Sequence, residues 1–237
     1  MGITALFTPL AIIYAGSKSC CMDNQEKKLW MKSFLTTVSI FFLLSLYLFL
    51  RRGYYNVYII NKVFGSTSAI LAGITLLVGP LSKQFSMAMH FLNLRKHLGL
   101  TALGLGIAHT AVSILLLAHK FPFPSWFFKE WIPVAFGLLA LGVWMYLWRI
   151  SNVNKIQELG HSLWRNRQSV SGHIAFVAIF LHLTVMKYQG WINWFQGKTK
   201  QTPELANPGS PPASLFVFAF MIAIIIYRGI RRIGTGK

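Results

Sequence analysis

The sequence predicts an all-α, polytopic membrane protein built as a six-transmembrane-helix bundle. Of its 237 residues, 54% are hydrophobic and only 12% are charged, whereas soluble domains carry about a quarter charged residues. The mean hydropathy is +0.52. Six uncharged stretches approach the length of about 20 residues that a helix needs to cross the hydrocarbon core. These observations exclude an ordinary soluble enzyme.

Each predicted span ends next to a basic residue or a polar loop. In chain order the spans cover residues 33–50, 63–82, 98–119, 131–148, 168–186 and 209–227. The basic residues that follow them are Arg51, Lys83, Lys120, Arg149, Lys187 and Arg228. Such residues are typical of span ends because their long side chains reach the headgroup region. The pattern predicts one transmembrane domain over residues 33–232.

The basic residues predict how the bundle is oriented. The formal net charge is +18, from 23 Lys and Arg against 5 Asp and Glu, and loops rich in Lys and Arg stay in the cytoplasm. With both ends of the bundle inside, 15 basic residues fall on the cytoplasmic side and 8 outside, including Arg51, Arg52 and Lys62. No segment is typical of a nucleic-acid-binding module, so we attribute the charge to topology and to anionic lipid. We expect a multi-pass protein of the plasma or bacterial inner membrane, with a thylakoid or other energy-converting membrane left open.

Residues 1–32 form an N-terminal segment outside the predicted bundle. The apolar stretch 3–16 is too short to span comfortably and has no basic region before it, so it is a poor signal peptide. Three interpretations stay open: an interfacial segment, a seventh span, or an upstream start with translation beginning at Met22. We favour the third because "MDNQEKKLW" is typical of a cytosolic lead into a first helix.

The loop after the fifth span has a different composition from the other loops. Its sequence, "GKTKQTPELANPGSPPAS", is polar and rich in Pro. Such composition predicts a flexible surface segment.

Two of the seven histidines lie well inside predicted spans, His109 in the third and His182 in the fifth. An ionisable residue at membrane depth is costly and is therefore a functional candidate. A lone histidine that hydrogen-bonds a neighbouring helix is the ordinary alternative. The third and fifth spans run in the same direction, and both histidines lie beyond the halfway point from the inner end.

Small residues precede both histidines on the same helix face. They are Gly99, Ala102 and Gly106 before His109, and Gly172, Ala175 and Ala178 before His182. Two facing grooves with a histidine at the same height form a slot for a flat macrocycle, which predicts heme b with two axial imidazoles. The candidate site is therefore His109 and His182 as iron ligands, with Gly99, Gly106, Gly172 and Ala175 lining the slot. Close packing of bare helices is the alternative.

The remaining intramembrane and near-membrane histidines are weaker candidates. His173 is nine residues before His182 and so faces away from it, toward a neighbouring helix. His97 belongs to a basic cluster, and we expect it to be solvated or to face headgroups. A second heme through His97 with His161 or His173 stays open.

Three segments resemble the ferric reductase-like transmembrane domain superfamily. They are "GSTSAILAGITLLVGPLS", "LRKHLGLTALGLGIAHTAVS" and "LGHSLWRNRQSVSGHIAFVAIFLHL", and the resemblance covers residues 63–186. Its most specific element is the spacing from "LGL" to His109. The resemblance implies a six-helix bundle that passes electrons through heme b to an acceptor on the other side, with His109 and His182 as ligands of the outer heme. Two-heme members carry a further histidine where this chain has Gln168 or Ser169, so the pattern is closer to single-heme members.

The resemblance also implies redox partners. The chain has no Gly-rich dinucleotide motif, so we expect electrons from a partner reductase or from quinol, and an acceptor such as ferric iron or a partner protein. A flavin phosphate at the cytoplasmic side is a further expectation, on the basic residues Arg95, Lys96, Arg165 and Arg167, which the positive-inside rule explains equally well.

Aromatic residues cluster on the predicted outer side, at Trp126, Trp131, Trp191 and Trp194. An interfacial belt is their ordinary explanation, and cover for the outer heme edge is the alternative, with Lys129 attracting an anionic ferric chelate. The sequence thus favours the electron-transfer component of a reductase. A scaffold or assembly protein that has lost its cofactors and a transporter are the rival hypotheses.

Overall fold

The structure is a computed structural model that describes residues 24–234. The N-terminal stretch 3–16 and Met22 lie outside the described residues. Within them the chain forms nine helices: α1 (Asn24–Arg52), α2 (Val57–Ser82), α3 (Ser86–Met89), α4 (Leu94–Leu115), α5 (Phe123–Phe128), α6 (Trp131–Ile150), α7 (Val153–Leu159), α8 (His161–Phe195) and α9 (Ala213–Gly234). Six of these, α1, α2, α4, α6, α8 and α9, are long and apolar enough to cross a membrane. The predicted six-helix, multi-pass membrane bundle is confirmed.

The helices differ from the predicted spans at their ends. Several run beyond the uncharged stretch, because a helix continues into the headgroup region where charged side chains are solvated; α8 extends over 35 residues. The third begins and ends four residues earlier than predicted, and it ends at Leu115, where Leu116 and Leu117 both donate backbone N–H groups to the carbonyl of Val112. The last begins at Ala213, directly after Pro212, since proline disrupts the hydrogen bonding of a helix interior and is better tolerated at a helix start.

Helix α2 is the centre of the bundle. Half of its most apolar window is buried, against 28% or less in the other five spans. It packs mainly against α4 and also against α9 and α1, while α6 packs mainly against α8. Its core contacts with α8 and α9 consist of Ala69, Ala72, Leu76, Phe176, Val217, Met221 and Ile224. The small residues of α2 let the neighbouring helices approach closely.

Pro80 interrupts the hydrogen bonding of α2. Proline has no N–H, so the carbonyl of Leu76, four residues earlier, loses its intrahelical donor. Arg228 of α9 donates Nη1–H to this carbonyl, and Arg95 of α4 donates Nε–H to the adjacent carbonyl of Thr75, at 2.9 Å. Arg228 of a neighbouring helix thus supplies the donor that Pro80 removes, as the backbone of a membrane helix requires.

The Pro-rich loop differs from the predicted flexible segment. Residues 198–212, which we call the cap segment, hydrogen-bond to the end of α1. The last carbonyls of a helix have no intrahelical donors, and here Asn207 donates to Leu50 and Arg51, while the N–H of Ala206 donates to Arg52. In return Arg51 donates Nε–H to the carbonyl of Ser210 at 3.0 Å. The cap segment is therefore a folded lid on one end of the bundle, which we call the cap end.

Candidate functional site

A cavity of about 680 Å³ opens inside the bundle at the cap end. Residues from all six spans and from the cap segment line it, and His109 and His182 are both among them. The structure thus brings the two predicted ligands to one cavity. Its volume lies within the range of about 300–1,000 Å³ that is typical of cofactor and small-molecule sites.

The imidazole of His109 binds α2 through Asn61. Its Nδ1 lies 2.9 Å from the Asn61 backbone oxygen and 2.9 Å from Asn61 Oδ1. Asn61 is buried, and its side-chain amide donates to Ser113 Oγ at 2.8 Å, whose hydroxyl in turn donates to the carbonyl of His109. Because a carbonyl oxygen only accepts, Nδ1 carries the proton and the lone pair of the neutral ring lies on Nε2.

The imidazole of His182 is held in the same way by α6. Its Nδ1 lies 2.7 Å from the backbone oxygen of Pro133, in the first turn of that helix. The proton is again on Nδ1 and the lone pair on Nε2. A histidine that ligates a metal through one nitrogen almost always donates its other N–H to a carbonyl or carboxylate. Both His109 and His182 make this hydrogen bond to a carbonyl through Nδ1.

A glycine makes room for each of these hydrogen bonds. Gly65 follows Asn61 by four residues, and Gly137 follows Pro133 by four, so each glycine lies one helical turn beyond the accepting carbonyl. A β-carbon at Gly65 would lie 3.2 Å from His109 Cε1, and one at Gly137 would lie 3.1 Å from His182 Nδ1. Both distances are shorter than ordinary van der Waals contact. Two helices therefore hold the two histidines by the same carbonyl and i+4 glycine pair.

The predicted small residues have different positions. Gly106 lines the cavity together with His109 and His182, whereas Gly99, Gly172 and Ala175 are not among its lining residues. A β-carbon at Gly99 would meet Thr75 of α2 at 4.0 Å, and one at Gly172 would meet Leu76 at 3.6 Å. Ala175 is 2% exposed. In this structure Gly99 and Gly172 lie against α2, and a role for the three residues at a cofactor stays a prediction.

Two other histidines lie away from this cavity. His97 is buried, with Nε2 3.2 Å from Glu26 Oε1 and its ring 4.9 Å from that of Trp30. The expectation that His97 is solvated is therefore wrong, because the first turns of α1 cover it. His173 faces a second cavity of about 240 Å³ between α8, α2 and α9, and its Nδ1 bonds to the carbonyl of Ser169 in its own helix.

The predicted tryptophan clusters divide into two groups. Trp126 and Trp191 line the cavity, while Trp131 is 57% exposed, as expected for an interfacial residue. Trp194 donates Nε1–H to the carbonyl of Gly209 and so helps to fix the cap segment. The side chain of Gln168 donates to Ser151 Oγ at 2.9 Å.

The residues that orient the histidines were not found from the sequence. They are Asn61, Gly65, Pro133 and Gly137, none of which is itself a metal ligand. The one signal in the sequence was a spacing of four residues that occurs twice, between Asn61 and Gly65 and between Pro133 and Gly137. Neither of the two helices concerned contains a candidate histidine. Only the packing of α2 on α4 and of α6 on α8 gives that spacing its meaning.

No protein-family model matches the chain, and no curated protein matches it.

Proposed function

We propose that this protein is a membrane b-type cytochrome in which His109 and His182 are the axial ligands of one heme. The observation that carries the proposal is the pair of imidazoles lining one cavity, each with Nδ1–H donated to a backbone carbonyl. That hydrogen bond fixes the tautomer and the ring orientation and leaves Nε2 as the ligating nitrogen.

The chemistry of the cavity favours heme over a bare metal ion. Among residues 24–234 no group of three or more His, Cys, Asp and Glu side chains could hold an ion. Heme iron takes four ligands from the porphyrin and needs only two from the protein. The walls of the cavity include the apolar side chains of Leu138, Leu141, Ile179 and Leu183, and the indole of Trp144. Such walls suit a flat aromatic macrocycle.

The proposed activity is electron transfer across the membrane by the redox component of a ferric reductase-like enzyme. Heme supplies the one-electron carrier. The protein fixes the two imidazoles on separate helices and positions the site near the cap end. The electron donor is a reductase or quinol, and the acceptor is ferric iron or a partner protein; a flavin at the cytoplasmic side belongs to the same proposal.

A spectroscopic experiment tests the assignment. The protein is expressed with ample heme supply and purified in mild detergent, and its oxidised and dithionite-reduced spectra are recorded with a pyridine hemochrome assay. We expect a low-spin b-type spectrum and about one heme per chain, which follows from one pair of axial ligands.

Matched variants make this test specific. His109→Ala and His182→Ala each remove one ligand and should abolish or grossly weaken heme binding, whereas His119→Ala, outside the cavity, should leave it unchanged. Wild-type protein without heme would contradict the proposal and favour the scaffold hypothesis. An unchanged spectrum in both ligand variants would contradict the ligand assignment.

A further inference from the structure

The cavity is lined by a strong excess of basic side chains that axial ligation does not use. Its lining includes five basic side chains and one carboxylate, that of Glu130. The basic residues are Arg51, Arg52, Lys62, Lys187 and Lys198. Arg51 and Arg52 end α1, and Lys198 belongs to the cap segment. Lys62 Nζ lies over the ring of Tyr58 in the first turn of α2, and Lys187 lies on the cap side of His182 in α8. These side chains therefore lie on the cap side of the imidazoles.

The two arginines are largely committed to the cap segment. Arg51 donates Nε–H to the carbonyl of Ser210, and Arg52 donates Nη1–H to that of Glu204, both at 3.0 Å. The Nε of Arg52 is buried and has no hydrogen-bond partner among the described residues. These contacts neutralise no charge, because carbonyl oxygens are not anions.

Lys62 and Lys187 have fewer compensating contacts than the arginines. Lys62 Nζ lies 4.0 Å from the centroid of the Tyr58 ring, and Lys120 Nζ lies 4.5 Å from the same centroid. Lys187, Arg52, Arg51 and Lys120 are all close enough to Lys62 to act on its charge. For Lys187 the structure gives no hydrogen bond or ion pair with the part of the chain it describes, and Glu130 is the one carboxylate that acts on it. Repulsion between partly buried cations is costly unless an anion balances it.

The positions of the two lysines relate them to the histidines. Lys62 is adjacent to Asn61, the residue that holds His109, and Lys187 lies five residues beyond His182 on α8, about 7.5 Å along the helix axis toward the cap. Both lysines line the cavity, Lys62 on the helix that accepts from His109 and Lys187 on the helix that carries His182. A compact ammonium group binds anionic oxygens as a point charge with three donors.

We propose that Lys62 and Lys187 form a carboxylate-binding site between the imidazoles and the cap segment, taking a pair of carboxylates. Two sources have this chemistry. One is the pair of propionates on a porphyrin held by His109 and His182, and this source rests on the proposed function. The other is a free polycarboxylate anion that enters at the cap end, which requires no heme.

The first experimental arm tests the propionate source. Protein from heme-limited cells is titrated with hemin and with hemin dimethyl ester, which lacks the two negative charges, and binding is followed by the Soret absorbance. If propionates occupy the site, wild-type protein binds hemin about tenfold or more tightly than the ester, as expected for charge-assisted hydrogen bonds. In the K62Q/K187Q variant that preference falls to less than about threefold, whereas Lys129→Gln, an exposed lysine outside the cavity, retains it.

The second arm tests the free anion and does not need heme. The thermal midpoint of the heme-free protein is measured with citrate and with chloride at equal ionic strength. A free-carboxylate site gives a citrate-specific rise in Tm that K62Q/K187Q loses and Lys129→Gln keeps, since ligand that binds only the folded state stabilises it. The size-exclusion profile of each variant is the check on folding.

The outcomes separate the two proposals. Heme binding with a hemin preference that depends on the lysines supports both. A lysine-dependent citrate effect without any heme binding supports the carboxylate site while the proposed function fails. The carboxylate site is overturned if K62Q/K187Q matches wild-type protein in both the hemin-to-ester ratio and the citrate effect.

Discussion

His182 lies against Gly137 so closely that a β-carbon on that glycine would be 3.1 Å from Nδ1 of the imidazole. The same contact, at 3.2 Å, relates His109 to Gly65 on a different helix. In each case the ring reaches a carbonyl one turn earlier in the helix, to which it donates its Nδ1–H. The orientation of both candidate ligands therefore depends on the space that a glycine leaves in a neighbouring helix.

Gly137→Ala should disturb heme binding although it leaves both histidines in place. The added methyl group pushes the imidazole off the carbonyl of Pro133, which loosens Nε2 as a ligand. We expect at least an approximately tenfold loss of heme affinity, in line with the effect of removing a partner that orients a metal ligand, measured by Soret titration. Gly142→Ala in the same helix is the matched control, because nothing lies within 4 Å of its added β-carbon. Equal affinity in the two variants would show that Gly137 is not needed to orient His182.

Asn61→Ala should distinguish the role of the Asn61 backbone carbonyl from the role of its side-chain amide. The variant keeps the backbone carbonyl that accepts from His109 but loses the side-chain bonds to His109 and Ser113. We expect a bis-histidine spectrum to persist while the free energy of unfolding falls by about 1–3 kcal/mol, the cost of leaving a buried hydrogen-bonding group without its partner. Thermal unfolding together with the absorbance spectrum measures both effects. Complete loss of the low-spin spectrum would mean that the amide, rather than the carbonyl, holds the ring.

Arg228→Ala should destabilise the protein because of Pro80. Arg228 supplies the donor that proline withholds from the carbonyl of Leu76, so its removal leaves that carbonyl without this partner, at a cost of about 1–3 kcal/mol. In a Pro80→Ala background the N–H of residue 80 satisfies the same carbonyl, and the effect of Arg228→Ala on Tm should be smaller. The four Tm values form a double-mutant cycle. Equal effects in both backgrounds would disprove the coupling.

Gly53→Ala should loosen the cap segment. Gly53 ends α1 with a φ of +78°, a conformation that alanine adopts only with strain, and its β-carbon would lie 3.0 Å from Cβ of Ala206. We expect faster amide hydrogen exchange over residues 198–212 and a loss of about 1 kcal/mol in stability. Gly209→Ala, with open space around its added carbon, is the control within the cap segment. Unchanged exchange in Gly53→Ala would indicate that the cap does not depend on this helix end.

The sequence predicted the bundle because hydrophobic length is a direct requirement of the bilayer. It also predicted that His109 and His182 belong together, and the structure places both on one cavity. The sequence could not predict that the cap segment is folded. The polar composition of "GKTKQTPELANPGSPPAS" does not indicate that this segment donates hydrogen bonds to the carbonyls of Leu50, Arg51 and Arg52. Nor could the sequence show that Gly99 and Gly172 lie against α2. A small residue is compatible both with close helix packing and with space for a ligand, and the position of the neighbouring helix is needed to distinguish the two.

The residues that orient the two histidines could not be predicted from the sequence either. Asn61 and Pro133 act through backbone carbonyls, which every residue has, so their type gives no sign of the role. The burial of His97 against Glu26 was likewise hidden, because it depends on where α1 begins and on how it crosses α4.

Low-temperature electron paramagnetic resonance of the oxidised, heme-loaded protein tests whether both imidazoles bind the iron. Bis-imidazole ligation predicts a low-spin ferric signal in wild-type protein, since both Nε2 atoms bind the iron. It also predicts a high-spin signal or no heme in His109→Ala and in His182→Ala, because either change leaves one axial position without its imidazole. A wild-type protein that is high-spin, or a low-spin signal that survives both single substitutions, would disprove ligation by His109 and His182.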